Sequence, residues 1–381
     1  MLLVSAVSPN EEKGSLFTID SSSGHQIPTH SVIEDCPVHE NAIAFSSSFY
    51  VVLCKNISTF HVFSYEKESP LSKFYGHEKL SCLQTVQEFT VAGAVNGNIL
   101  VWETLSGELL QIITNSHFQA VTKICSQGPL FMSAGRDGLV KCWNIYQVIS
   151  GECPESLFSL SDHQSPITNV QFLLSGRCVT SADGDKNVYL YEEDGSLLAR
   201  FSFPQPIKFF QMNSIETLLF AASTDSIYII DFERDQATIQ FEVWTGTTIK
   251  VSDSFQIDSP IRSLAFNFGE DILIVGTFKD LQFWDVESKV LMKRTTPIGN
   301  LQITGIYNIP VDKIPLSKGL KLTPFKKQFS TDNRILKHIE ERIEGREDNT
   351  EKNQELREEI ARLKQINASL VEFMTKKAMI G

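Results

Sequence analysis

Residues Ser116 to Asn144, SHFQAVTKICSQGPLFMSAGRDGLVKCWN, leave few folds open to this chain. Apolar and polar residues alternate through Ala120–Cys125 and again through Leu130–Ala134. A turn follows at Gly135-Arg136-Asp137-Gly138, and a third strand closes on Trp143. Three short strands joined by tight polar turns cannot bury both faces alone, so the unit needs copies beside it. Asp137 lies six residues before Trp143, and Ser133 lies four before Asp137. That spacing lets His117, Ser133, Asp137 and Trp143 satisfy one another's polar atoms while the indole is buried.

The unit recurs. Before it, Gly76-His77 leads to Trp102, with Asn96 in the place of Asp137. After it, Asp162-His163 leads to Tyr191, with Ser181 and Asp185 at the same offsets from the aromatic. The next copy, LLFAASTDSIYIIDF, is degenerate, with Ile230 at the aromatic position and Asp225 in a shortened turn. The last, SLAFNFGEDILIVGTFKDLQFWDV, ends on Trp284-Asp285, and Asp280 stands only four residues before Trp284. Between these two, 243–254 reads as a strand hairpin or an inserted loop. Upstream, NAIAFSSSFYVVLCKNISTFHVFS supplies three more strands without Trp or a His-Asp pair.

This pattern resembles the WD-repeat blade of a β-propeller. Three strands at the start (LLVSAV, SLFTID, HQIPTH) lack an inner partner, and LQITGIYNI at 301–309 is orphaned at the other end. Joining them completes a seventh blade and removes free sheet edges. The expected fold is all-β: a seven-bladed WD-repeat β-propeller over 1–311, its first blade closed by 301–309. A basic Pro/Lys connector over 312–331 and an α-helical coiled-coil tail over 332–377 follow it.

Charge narrows the partners. Residues 1–311 carry 19 Lys/Arg against 34 Asp/Glu, whereas 312–327 carry five lysines against one Asp. An acidic propeller repels phosphate backbones, so little direct nucleic-acid contact is expected outside Lys318, Lys321, Lys326 and Lys327. Those lysines equally suit an import segment or a basic strip lying on the propeller. The seven cysteines are scattered singly without metal-ligand spacing, which argues against a zinc site or a disulfide framework and for a reducing compartment. The opening MLLVSAVSPN lacks the basic flank of a signal peptide, and no apolar run reaches the ~18–20 residues that span a bilayer. A soluble intracellular protein without membrane contact is expected, and the sequons at Asn56 and Asn367 read as chance. The His-Ser-Asp sets look like hydrolase triads, but their repetition beside Trp or Tyr points to turn bracing. No P-loop or other cofactor motif is present, so no catalysis and no cofactor are expected.

The tail changes period. In QELREEIARLKQINASLVEFMTKKA, Leu356, Leu363 and Leu370 fall at d positions, and Ile360, Asn367 and Met374 at a positions. Leu at d with Ile and one Asn at a favours a parallel two-stranded coiled coil, hence a homodimer. Ile366, Val371 and Phe373 widen the apolar face toward a further partner. The competing reading is an amphipathic helix docked on the propeller.

A propeller closed near residue 310, a basic connector and a terminal LREEIARLKQINASLVEFM helix together resemble the WD-repeat subunit of the Rix complex. The resemblance implies a non-enzymatic nuclear scaffold, nucleolar and nucleoplasmic, in maturation of the large ribosomal subunit precursor and processing of its internal transcribed spacer. It implies tail dimerisation, binding to the helical-repeat Rix scaffold subunit and other Rix members, and placement of the midasin-type ATPase on the precursor. Some members of the family are also linked to replication licensing. Two other classes fit the architecture. One is a phosphopeptide adaptor, as in ubiquitin ligation, which would need an Arg cluster, yet Arg136, Arg177, Arg200, Arg234, Arg262 and Arg294 are spread one or two per blade. The other is a trafficking or cytoskeletal scaffold.

Overall fold

The computed structural model describes residues 2–7, 14–20, 26–27, 38–46, 49–54, 59–64, 70–76, 78–151, 154–182, 184–232, 247–251, 254–267, 269–296 and 302–308. Among them the strands form seven sheets, the blades of a propeller. Numbered along the chain, blades 2 to 7 begin with inner strands Val38–Phe45, Leu80–Val86, Val121–Gln127, Ile167–Phe172, Phe209–Met212 and Ile261–Phe266. Each continues outward through antiparallel neighbours, with one parallel strand added at the edge of blade 5.

Burial follows position in the blade. The second strands Phe49–Cys54, Phe89–Ala94, Cys178–Ala182 and Ile272–Thr277 are buried at every residue. They lie between paired strands and between neighbouring blades, so both faces are covered, and continuous apolar runs replace alternation. The outer strands Leu109–Ile113 and Leu291–Thr295 are only partly covered and carry mixed residues. Aromatic rings bridge the gaps between blades. Phe60 of blade 2 meets the edge of Trp102 of blade 3 at 5.0 Å, and Phe220 of blade 6 meets Phe266 of blade 7 at 5.5 Å.

Blade 1 is made from both ends of the chain. Leu2–Val7 pairs with Gly14–Ile19 on one side and with Gln302–Asn308 on the other, Leu2 opposite Asn308 and Val4 opposite Ile306. Ser5 and Thr304 hydroxyls meet at 2.8 Å across this seam. The same C-terminal strand reaches blade 7, where the Ile306 N–H donates to Ser263 Oγ at 3.1 Å.

Two sequence readings are corrected. The described residues of 243–254 do not pair with each other as one hairpin. Thr247–Lys250 adds in parallel to Leu197–Ser202 as a fifth strand of blade 5, and Ser254–Gln256 pairs with Ser226–Asp231 as the outer strand of blade 6. The segment serves two blades because each offers an open edge that needs a partner. Among the described residues Cys82, Cys125, Cys142 and Cys178 are free thiols, but Cys54 is disulfide-bonded. Single spacing along the chain therefore does not by itself exclude a bridge.

Candidate functional site

The turn of blade 4 is held by a chain of four side chains. The Trp143 indole N–H donates to Ser133 Oγ at 3.0 Å, and the Ser133 hydroxyl donates to His117 Nε2 at 2.7 Å. His117 Nδ1–H then faces the Asp137 carboxylate at 3.1 Å. The same carboxylate accepts from the backbone N–H groups of Phe118 and Leu139, so it also fixes the turn. Ser133 is fully buried and both its polar functions are taken. A hydrolase nucleophile needs an open path to substrate, so this set braces the blade instead.

Glycine makes the brace possible at one further point. Gly97, in the turn of blade 3, has φ +91, and a Cβ there would lie 2.1 Å from the His117 carbonyl oxygen. The entry to blade 4 thus rests directly on the backbone of the blade before it, with His117 N–H donating to Gly97 O at 3.0 Å. Gly138 receives the His163 segment of blade 5 in the same way.

Blade 5 departs from the sequence reading. His163 Nδ1 meets Asp185 at 3.0 Å, but Nε2 meets Thr180 Oγ1 at 2.8 Å, not Ser181. The Ser181 hydroxyl lies 3.4 Å from that of Thr168. The cause is register. Residues 135–139 separate the paired Ala134 and Val140, whereas 182–187 separate the paired Ser181 and Val188, one residue more. Counting back from Tyr191 therefore lands one position late. Tyr191 compensates for the missing indole by donating its hydroxyl to Asp162 at 3.0 Å.

In blade 7 the Trp284 indole donates to Gln282 Oε1, Gln282 donates to Asp280, and the Thr277 hydroxyl donates to Asp280 at 2.6 Å. Asp285 instead accepts from the backbone and hydroxyl of Ser288. Thr180, Asp162, Gln282 and Thr277 were missed in the sequence. Asp162 could have been found from its place next to His163, and Thr180 by allowing a longer turn. His77, Lys318, Lys321, Lys326, Lys327 and all the tail positions from Leu356 to Met374 lie outside the described residues.

Burial holds the His117 and His163 imidazoles below their ordinary value of 6.5, with Asp137 and Asp185 opposing it less strongly. Below pH 6.5 the unfolded chain takes up protons that these folded sites refuse. The stability they contribute is therefore present above pH 6.5 and is lost as pH falls below it. The proton has no place at Nε2, because Ser133 would then face two donors with its own hydrogen unpaired. Asp137→Ala is expected to cost about 1–3 kcal/mol for the partners left unsatisfied. Urea unfolding at pH 7 and pH 5.5 checks both: the wild type weakens at the lower pH, and the variant is weaker already at pH 7.

The arginines of the sequence converge in part. A central channel of about 290 Å³ is lined by inner-strand residues including Lys123, Asn169 and Arg262. Lys123 donates to Asn169 Oδ1, and Asn169 Nδ2 donates to Phe210 O at 3.1 Å. Where the inner strands begin, the channel opens into a mouth of about 890 Å³ bordered by Lys79, Arg136, Lys208 and Arg262. Arg177 and Arg294 are spent elsewhere, on Glu192 and Asp258, and Arg200 lies over the Tyr189 ring. Even spacing along the chain concealed this grouping, because in a propeller equivalent positions of successive blades meet at one end of the axis.

Comparison with known proteins agrees with this architecture. The family model "WD domain, G-beta repeat" matches residues 107–144 and 154–192. The chain is 26% identical over 274 residues to the Pre-rRNA-processing protein IPI3 of Mycosarcoma maydis, covering 64% of this chain and 46% of that one. It is 24% identical over 229 residues to the protein of the same name in Kluyveromyces lactis, covering 56% and 44%. It is 29% identical over 237 residues to WD repeat-containing protein 18 of Rattus norvegicus, covering 58% and 53%. The chain thus spans about half the length of these curated relatives. Among solved structures, the crystal structure of the computationally designed Ika8 protein aligns with a TM-score of 0.58 at 22% identity, covering 81% of this chain and 88% of that one. That likeness concerns the fold alone.

Proposed function

We propose, from its homology to the Pre-rRNA-processing protein IPI3 and WD repeat-containing protein 18 sequences, that this chain is a scaffold in maturation of the large ribosomal subunit precursor. The observation that carries the reading is this homology in several organisms, joined to a propeller whose triad-like side chains are consumed in bracing turns. On this reading the chain has no chemistry of its own. It acts in the nucleus and nucleolus as a Rix-type complex subunit, binding the helical-repeat scaffold subunit and other members of that complex. It helps seat a midasin-type ATPase on the precursor during removal of the internal transcribed spacer. The tail from Gln354 to Lys377 supplies a parallel homodimer through Leu356, Ile360, Leu363, Asn367, Leu370 and Met374, with Ile366, Val371 and Phe373 left for a partner. Contact with RNA is confined to Lys318, Lys321, Lys326 and Lys327, because the acidic balance of 1–311 disfavours it elsewhere.

Native purification of the tagged full chain, with sequencing of the RNA and identification of the proteins that travel with it, tests the assignment. Large-subunit precursor and a midasin-type ATPase are expected. Membrane-coat or microtubule components without precursor RNA would point to a trafficking or cytoskeletal scaffold instead.

A further inference from the structure

The mouth of the channel runs against the charge of its surroundings. Residues 1–311 hold 34 Asp/Glu and 19 Lys/Arg, yet the residues bordering the mouth include Lys79, Arg136, Lys208 and Arg262 and no described carboxylate. The grouping follows from the repeat. Lys79 and Lys208 are the residues just before the inner strands of blades 3 and 6, and Arg262 is the second residue of the inner strand of blade 7. Arg136 directly follows the second strand of blade 4, and its N–H donates to Ala120 O at 2.9 Å, next to that blade's inner strand.

Nearby carboxylates are committed to their own turns. Glu78 accepts from Asn98 Nδ2 at 2.9 Å, Asp137 is held by His117 and two backbone N–H groups, and Asp225 accepts from Ser226. Asp280 is occupied by Thr277 and Gln282, and Asp258 pairs with Arg294. Among the described residues no carboxylate forms an ion pair with Lys79, Arg136 or Lys208. Arg262 lies 5.8 Å from the Phe278 ring centre and is engaged in interactions of its own. The brace described above therefore does more than stabilise blade 4: it holds rigid the turn from which Arg136 projects.

We propose that this mouth is a docking site for an acidic segment of a partner protein, its Asp or Glu side chains meeting Lys79, Arg136 and Lys208. The size suits the ligand. A cavity of about 890 Å³ accepts a few side chains, in the range of ~300–1,000 Å³ usual for compact ligands. Exposed Val95 and Pro260 at the same rim give an apolar residue between the carboxylates a place to rest. A long polyanion such as RNA must also cross the acidic surface outside the mouth, whereas a short acidic segment need touch only the cationic ring. The surrounding carboxylates thus act against unspecific anions while the mouth attracts the right one. This site is independent of the ribosomal reading, because neither its argument nor its test uses precursor particles.

Fluorescence anisotropy of the full chain with a labelled short Glu-rich peptide containing one Leu provides the test. The peptide is expected to bind, more weakly as salt rises. Arg136→Glu with Lys208→Glu is expected to weaken binding about tenfold or more. Arg136 is exposed and Lys208 half-buried at the rim, so the melting temperature of the double variant should change little. Should charge reversal disturb folding, Arg136→Gln with Lys208→Gln carries the same expectation of weaker binding. Equal binding of a Gln-for-Glu peptide, or unchanged binding by a folded double variant, would overturn the proposal. So would a single-stranded RNA that displaces the peptide from the mouth, or a phosphoserine peptide that binds where the Glu-rich one does not.

Discussion

A chain truncated after Pro297 is expected to lose the propeller as a whole rather than fray at one blade. The missing strand, Gln302–Asn308, is the inner strand of blade 1 and packs against blade 7. Ile303 and Ile306 are buried in a cluster that includes Val4, Ala6, Ile274 and Leu281. Burial of two such side chains is worth roughly 3–6 kcal/mol, against a total of about 5–15 kcal/mol for an ordinary domain. Removal also uncovers the edge of Leu2–Val7 along its whole length, and the ring loses its closure. Thermal unfolding followed by circular dichroism should show a midpoint lowered by many degrees or no cooperative transition. An unchanged midpoint with unchanged cooperativity would mean that the two chain ends do not stabilise each other.

The second large effect concerns assembly. On the proposed tail pairing the wild type is expected to be a dimer, and Leu363→Asp with Leu370→Asp is expected to give a folded, monomeric propeller. In the proposed coiled coil a buried carboxylate at two successive d positions would cost far more than a seam of about three heptads can supply, since isolated helices of this length are marginal in water. Asn367 adds a check on geometry. At an a position it pairs best with itself in a parallel two-stranded register, so Asn367→Ile should tighten association while admitting higher oligomers. Light scattering of the three full chains measures this directly. Equal masses for wild type and the Asp double variant would place the helix in some other contact.

What could be read in advance depended on whether spacing along the chain mirrors spacing in the fold. Trp143, His117, Ser133 and Asp137 were legible because the brace is made within one blade, by residues whose separations are set by strand and turn length. The same rule failed at Ser181, where one extra turn residue moved the hydroxyl position to Thr180. Alternation and turn residues marked most strands. They could not show that Thr247–Lys250 and Ser254–Gln256 join different blades, because edge pairing depends on which edges are open in the assembled ring. The cationic mouth was the least legible feature. Arg136 and Arg262 are 126 positions apart in sequence and come together only because the blades share an axis.

The proposed role in ribosome maturation is tested most directly by depleting the chain from its own cells and resolving precursor ribosomal RNA on gels. Loss of the protein should cause large-subunit precursors that retain the internal transcribed spacer to accumulate, while small-subunit precursors mature normally. Re-expression of the full chain should clear them, and the Leu363→Asp, Leu370→Asp chain should not. Unchanged precursor RNA after full depletion, accompanied by a defect in membrane traffic or microtubule organisation, would contradict the account and assign the propeller to a different assembly.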